Sequence, residues 1–188
     1  MVIGGGAALG SGAFSTTEAD RGLQVNVVTG DAIAEEFIDI VLKDIDNVEN
    51  VGVDIDEVGS AFPTAGDDYD SYEASSGDLS LMDNDVTITF GDENSFLANS
   101  SRDFEDLIVL VNDEGDNSNG TVNVEFSATT ESTFTFEAEV DEESKDFGDE
   151  SDGDTVDDGE AVEVTVGLET GSTDDDDGLL EIEITDAQ

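Results

Sequence analysis

The sequence predicts an all-β chain: an antiparallel β-sandwich of jelly-roll or Greek-key type with at most one short helix. Three observations carry this expectation. Residues 104–112 read Phe-Glu-Asp-Leu-Ile-Val-Leu-Val-Asn, nearly continuous in apolar side chains, as a strand covered on both faces would be. After an acidic, glycine-containing break, residues 121–126 (Thr-Val-Asn-Val-Glu-Phe) alternate, so that one face meets a core and the other meets water. This unit is expected to be a central strand, a turn and a neighbouring strand. Finally, seven or eight short apolar runs recur along the chain between turn signals, with no fixed-period repeat.

Taken in order, Leu23, Val25 and Val27 alternate with Gln24, Asn26 and Val28 and mark a first strand. Thr29-Gly30-Asp31 breaks it, and Asp31 is placed to cap a short helix. Ile33, Phe37, Ile40, Val41 and Asp44 follow a helical spacing, although residues 37–42 are also compatible with a strand. Residues 51–58 alternate weakly, as an outer strand would. Residues 59–80 form a loop-like stretch holding Pro63, the only proline, with Tyr69 and Tyr72 as a small satellite cluster. Residues 85–90 are a clean half-buried strand. Residues 131–140 place Phe134, Phe136, Ala138 and Val140 on one face. Residues 141–160 read as an acidic, Gly- and Ser-rich stretch without core residues. Alternation resumes over 161–168. After an acidic turn, Leu180, Ile182 and Ile184 form a last strand, with Glu181 and Glu183 facing the other way.

The chain has 188 residues, enough for one large domain. Its 51 Asp and Glu stand against 4 Lys and Arg, for a formal charge of −47. Such self-repulsion opposes compaction. Salt near 1 M shortens its reach to about 3 Å. An acidic chain with grouped apolar runs is therefore expected to fold in high salt, in an extreme halophile, whereas a disordered acidic polymer would scatter its apolar residues. Arg21, Lys43, Arg102 and Lys145 stand far apart in sequence, which argues against nucleic acid and anionic membrane surfaces as partners. Cysteine and histidine are both absent, which removes disulfides, thiolate chemistry and imidazole bases or ligands. Carboxylate pairs are unavoidable at this density and identify no acid–base couple, so no enzymatic role is expected. No stretch approaches the ~20 apolar residues of a membrane span.

Residues 1–13 are apolar and small and read as a signal-peptide remnant or a flexible N-terminus. Residues 14–188 are then a single β-sandwich domain with acidic insertions near 59–80 and 141–160. Three constellations stand out. Asp149, Asp152, Asp154 and Asp157 crowd a loop with Gly153 and Gly159, oxygen ligands suited to calcium, although their spacing is not that of an EF-hand. The alternative is a solvated acidic loop holding diffuse cations. Asn99-Ser100-Ser101 and Asn119-Gly120-Thr121 match the N-glycosylation acceptor rule, while Asn119-Gly120 also suits a tight turn. Ala13, Phe14, Leu23, Val25 and Val27 belong to a terminal segment that runs into a strand. Such a segment either completes its own sheet or docks on a neighbour and joins subunits head to tail.

The run Gly10-Ser11-Gly12-Ala13-Phe14-Ser15-Thr16-Thr17-Glu18-Ala19-Asp20-Arg21 resembles exported haloarchaeal β-proteins of poorly defined function. It is more distantly similar to the TasA/camelysin group of matrix and fibre proteins. Ala13-Phe14 matches that group's pair near the mature start, and the strand over 23–27 follows as it does there. Residues 104–113 also resemble the haloarchaeal group's central strand, a Phe-x-Asp run leading into an apolar strand and then Asn. The resemblance implies a jelly-roll-like sandwich and, from the TasA side, fibres joined by an N-terminal donor strand. It does not extend to the proteolytic activity assigned to some members, since this chain has no histidine for a common zinc motif.

The expected function is that of an exported structural or filament-forming protein, extracellular or at the cell surface, with copies of itself as partners. It requires high salt and no cofactor, with calcium as the one candidate ion. The alternative is a monomeric cell-surface binding module, cation-dependent through the 59–80 or 141–160 loop.

Overall fold

The computed structural model describes residues 21–29, 39–43, 51–57, 71–73, 75, 77–81, 85–91, 99–112, 120–140, 143–148, 153–171 and 178–187. Among the described residues twelve strands follow in chain order: β1 (Arg21–Thr29), β2 (Asp39–Leu42), β3 (Val51–Glu57), β4 (Leu79–Ser80), β5 (Asp85–Phe90), β6 (Ser101–Asn112), β7 (Val122–Thr129), β8 (Thr133–Val140), β9 (Glu143–Asp146), β10 (Asp154–Val156), β11 (Glu160–Glu169) and β12 (Gly178–Asp186). They make two six-stranded sheets packed as a sandwich. The first runs β10-β7-β12-β1-β5-β3 and the second β4-β2-β6-β11-β8-β9. Only the step from β8 to β9 stays within one sheet; every other step between named strands crosses to the opposite one. No helix occurs among the described residues.

The core lies between the sheets and is built by alternation. Leu23, Ile88, Phe90, Phe126, Leu180 and Ile182 point inward from the first sheet, and Phe104, Leu110, Phe136, Val162 and Val164 from the second. Phenylalanine pairs join the layers. The Phe126 and Phe136 rings stack at 4.7 Å between centroids, and Phe90 meets Phe104 at 5.0 Å. Offset and tilted contacts of this kind add to simple area burial.

β6 is covered on both faces, as its continuous apolar run predicts. Ile108 and Leu110 face the core, while Val109 and Val111 pack on the outer side against Val41, Tyr72 and Ala161. Tyr72 does form a satellite cluster; Tyr69 lies outside the described residues. A bulge resets the phase of β6. Phe104 pairs with Val166 and Ile108 with Val164, so residues 105–107 stand opposite Thr165 alone. Asp106 absorbs the turn with φ of 53° and receives little help, its amide reaching Thr165 Oγ1 at 3.5 Å. Bulges of this kind bend a strand and redirect its side chains.

The structure corrects several expectations. β6 and β7 are consecutive but not paired: they belong to opposite sheets. The alternation of each strand is a local property, and it carries no information about which strand lies alongside. Ile40, Val41 and Leu42 do not continue a helix. They form β2, fully buried between β4 and β6. Burial on both sheet faces produces a continuous apolar run that mimics a helical stripe; residues 31–38 lie outside the described residues. The 141–160 stretch does contribute to the core, since Phe147 and Val156 are fully buried. Phe147 accepts a hydrogen bond from the Phe126 amide and donates its own to Phe136 O, closing the gap between the layers where the chain crosses. Leu79, at the end of the 59–80 stretch, is a core residue paired with Leu42 in the short β4 ladder, and Leu81 just beyond it is a core residue too. Residues 51–57 hold the outer position expected of them, at one edge of the first sheet.

Candidate functional site

β1 is the first strand in the described chain and lies in the interior of a sheet. Leu23, Val25 and Val27 turn one face to the core, with Leu23 and Val25 buried and Val27 half-buried. Gln24 and Asn26 face outward and are exposed. On one side β1 runs antiparallel to β5, with Arg21 opposite Phe90 and Gln24 opposite Thr87. On the other it runs parallel to β12, from Leu23 opposite Gly178 to Thr29 opposite Ile184. Among the named strands this is the parallel pair; the other ladders are antiparallel. β1 therefore separates β5 from β12, pairing with β12 from Leu23 to Thr29 and with β5 from Arg21 to Gln24. The outer face adds one weak link, Asn26 Nδ2 donating to Glu181 Oε2 at 3.4 Å. Ala13 and Phe14 lie outside the described residues.

The other predicted residues are placed as follows. Of the proposed calcium ligands, Asp149 and Asp152 lie outside the described residues. Asp154 sits in β10, where its Oδ1 accepts the Thr155 amide at 2.7 Å. Asp157 accepts the Thr121 hydroxyl at 2.7 Å, and the Asp157 amide donates to Glu160 Oε2 at 2.9 Å. Among the described residues no three acidic side chains converge as a metal-holding group. Asn99 is exposed at a turn before β6, with φ of 55°. Asn119 lies outside the described residues; Gly120 after it takes φ of 97°, the left-handed region that suits glycine.

Sequence reasoning missed a polar network on the outer face of the second sheet. The Tyr72 hydroxyl donates to Asp78 Oδ2 at 2.7 Å, and the Ser75 amide donates to the same oxygen at 2.7 Å. Beside it, Asp39 Oδ1 accepts the Ser80 hydroxyl at 2.6 Å and the Ile40 amide at 2.8 Å. Asp39, Asp78 and Ser80 are all buried. Burial pushes the Tyr72 hydroxyl well above its ordinary range, and the hydrogen bond to Asp78 and the negative charges of Asp78 and Glu163 push it further. Serine and aspartate in a short turn resemble any solvated loop, so no signal in the sequence distinguished these.

Two hollows lie along this same face. One of about 410 Å³ is lined by Glu105, Asp106, Glu137, Glu139, Glu163 and Thr165, among others. Its neighbour, about 330 Å³, has Tyr72, Val109, Val140 and Ala161 in its walls. Lys43 pairs with Glu163 nearby, both partly exposed. Lys145 is more enclosed. It donates to Thr155 O at 2.7 Å and to Glu160 Oε2 at 3.2 Å, tying β9 to β10 and β11. No helix among the described residues is long and apolar enough to cross a membrane. Comparisons with protein-family models, with curated proteins and with solved structures each find no match to this chain.

Proposed function

We propose that this is an exported structural protein of an extreme halophile, a filament-forming subunit at the cell surface or in extracellular material, assembling by N-terminal strand donation. The observation that carries the reading is the position of β1. With β1 to β4 set aside, the remaining strands stand in the order β5, β12, β7, β10 in one sheet, with the place of β1 between the first two, and β6, β11, β8, β9 in the other. We read that order as the eight-stranded jelly roll the sequence suggests, in which β5 and β12 would be direct neighbours. β1 occupies a slot between these two strands, parallel to one and antiparallel to the other. A strand that precedes in sequence the eight strands whose sheet it completes is suited to exchange between copies. The kinship with the haloarchaeal and TasA/camelysin groups belongs to this reading, as does the need for salt to screen a charge of −47.

The second reading is a monomeric surface module. It is favoured by the pairing of β1 with both β5 and β12 of its own chain, and its ligand would meet the acidic hollows of the second sheet. One experiment separates the two. The chain has no cysteine, so Asn26→Cys with Glu181→Cys creates a clean cross-link between outward-facing register partners. Oxidation in high salt followed by denaturing electrophoresis is expected to give a ladder of covalent multimers, with filaments by electron microscopy. Cross-linked monomers alone, at every protein concentration, overturn strand donation and leave the surface module.

A further inference from the structure

The N-terminal strand leaves one sequence motif unexplained, and the structure distinguishes it from its twin. Asn99-Ser100-Ser101 lies where the ladder between β6 and β11 ends. The last strand pair is Ser101 with Glu169. Beyond it, the Thr170 amide donates to Ser100 O at 2.8 Å, and the Asn99 amide donates to Gly171 O at 3.1 Å. Ser100 is held inward, its amide donating to Thr170 Oγ1 at 2.9 Å and its hydroxyl 3.3 Å from the same atom. Asn99 and Ser101 on either side of it are exposed. Asn99 adopts φ of 55°, a conformation that asparagine tolerates better than most residues and that ends the ladder in a turn. The acceptor amide and the hydroxyl two residues on, the two groups the motif requires, are thus both presented to solvent on an anchored backbone. In the other motif the corresponding hydroxyl, that of Thr121, is engaged with Asp157.

We infer that Asn99 is a site of N-linked glycosylation. The inference rests on the proposed export of the chain, because the reaction needs a compartment with an activated sugar donor. The donor would be an oligosaccharide linked through phosphate to a polyisoprenoid lipid, and the catalyst a separate transferase. The Asn99 side-chain nitrogen forms a bond to the anomeric carbon. The bond from that carbon to the phosphate oxygen breaks, the phosphate leaves with its electron pair, and the amide loses one proton to the transferase. The glycan would stand near the start of β6, at the end of the sandwich where Phe104 meets Phe90, the residue opposite Arg21 of β1. An uncharged, hydrated glycan there would shield that end of the molecule.

The test is peptide mass spectrometry on full-length protein from its own cells, after cleavage at Asp and Glu. The peptide holding Asn99 is expected to carry a sugar mass increment. Asn99→Gln and Ser101→Ala abolish it, while Ser100→Ala, which preserves the motif, retains it. The bare peptide mass in exported protein, from cells that modify another Asn-x-Ser/Thr protein, overturns this inference alone. Retention of the protein in the cytoplasm, seen by fractionation, overturns the export reading and this inference together.

Discussion

β6 and β1 are both interior strands, each paired along both edges, yet they are interior in different senses. From Leu107 to Asn112, β6 is also enclosed above and below. Leu110 faces the core and Val111 the Tyr72 cluster, and neither is exposed. β1 has one buried face, while Gln24 and Asn26 on its other face meet water. A strand enclosed on both faces is specified by every side chain it carries. A strand enclosed on one is specified by alternate side chains, Leu23, Val25 and Val27, and by its backbone. The slot between β5 and β12 therefore makes modest demands on its occupant, as the proposed exchange between copies would need.

The difference is sharpest under truncation. Leu110→Ala in β6 is expected to cost about 3 kcal/mol, the lost transfer energy plus the cavity left in a core that cannot collapse around it. Val111→Ala, on the opposite face of the same strand, should cost about 2 kcal/mol. Gln24→Ala in β1 should stay within about 0.5 kcal/mol, as surface changes do. Urea unfolding at constant high salt measures all three, and the comparison fails if Gln24→Ala costs as much as Val111→Ala.

Next in size is Asn112, buried at the end of β6. Its Nδ2 donates to Gly120 O at 3.1 Å and to Val156 O at 3.0 Å, linking the second sheet to β10 of the first. Asn112→Ala leaves both carbonyls short of a donor and should destabilise by about 2 kcal/mol. Equal stability in the same unfolding assay would mean that water replaces the amide, and that β6 is held by apolar contacts alone.

Tyr72 tests the cover over the outer face of β6. Tyr72→Phe removes the hydroxyl bonded to Asp78 and should cost about 1 kcal/mol near neutrality. The pH dependence has a definite sign. The folded protein raises the Tyr72 pKa from an ordinary 10.0, so its contribution is full below about pH 10 and declines as pH rises above it. Wild type should lose stability above that pH more steeply than Tyr72→Phe; parallel profiles would remove Tyr72 from the alkaline response. The smallest effect is expected at the bulge. Asp106 holds a left-handed conformation, so Asp106→Gly should gain about 0.5 kcal/mol through relief of local strain. A loss would show that the Asp106 side chain contributes more to the bulge than its backbone strain costs.

Much of the fold was legible because the core is written in period two. Leu180, Ile182 and Ile184 of β12, and Val122, Val124 and Phe126 of β7, are buried as their alternation predicts. Phe147 and Val156 were not legible. Each is a single apolar residue among acidic neighbours, and one residue has no period. Ile40 and its neighbours fit a helical stripe as well as a strand, because a strand buried on both faces has no alternation to show. Of the candidate site, the strand over 23–27 was visible, but its slot was not, since β5 and β12 are some ninety residues apart. The Asp39–Ser80 and Tyr72–Asp78 contacts were invisible for a related reason: a hydrogen bond between short polar side chains needs a shared position and imposes no pattern on either segment.

The sequence by itself determined an all-β chain, the inward and outward faces of most of its strands, and a formal charge of −47. Those properties are local or additive, set by side-chain alternation and by a sum of charges. Only the tertiary structure decided that consecutive strands cross between sheets, that β1 lies parallel to β12, and that Ser101 is exposed while Thr121 is tied to Asp157. Strand pairing is made by backbone groups that every residue carries. The choice of partner follows from how two layers together bury Phe90, Phe126 and Leu110, a condition that no single stretch of sequence contains.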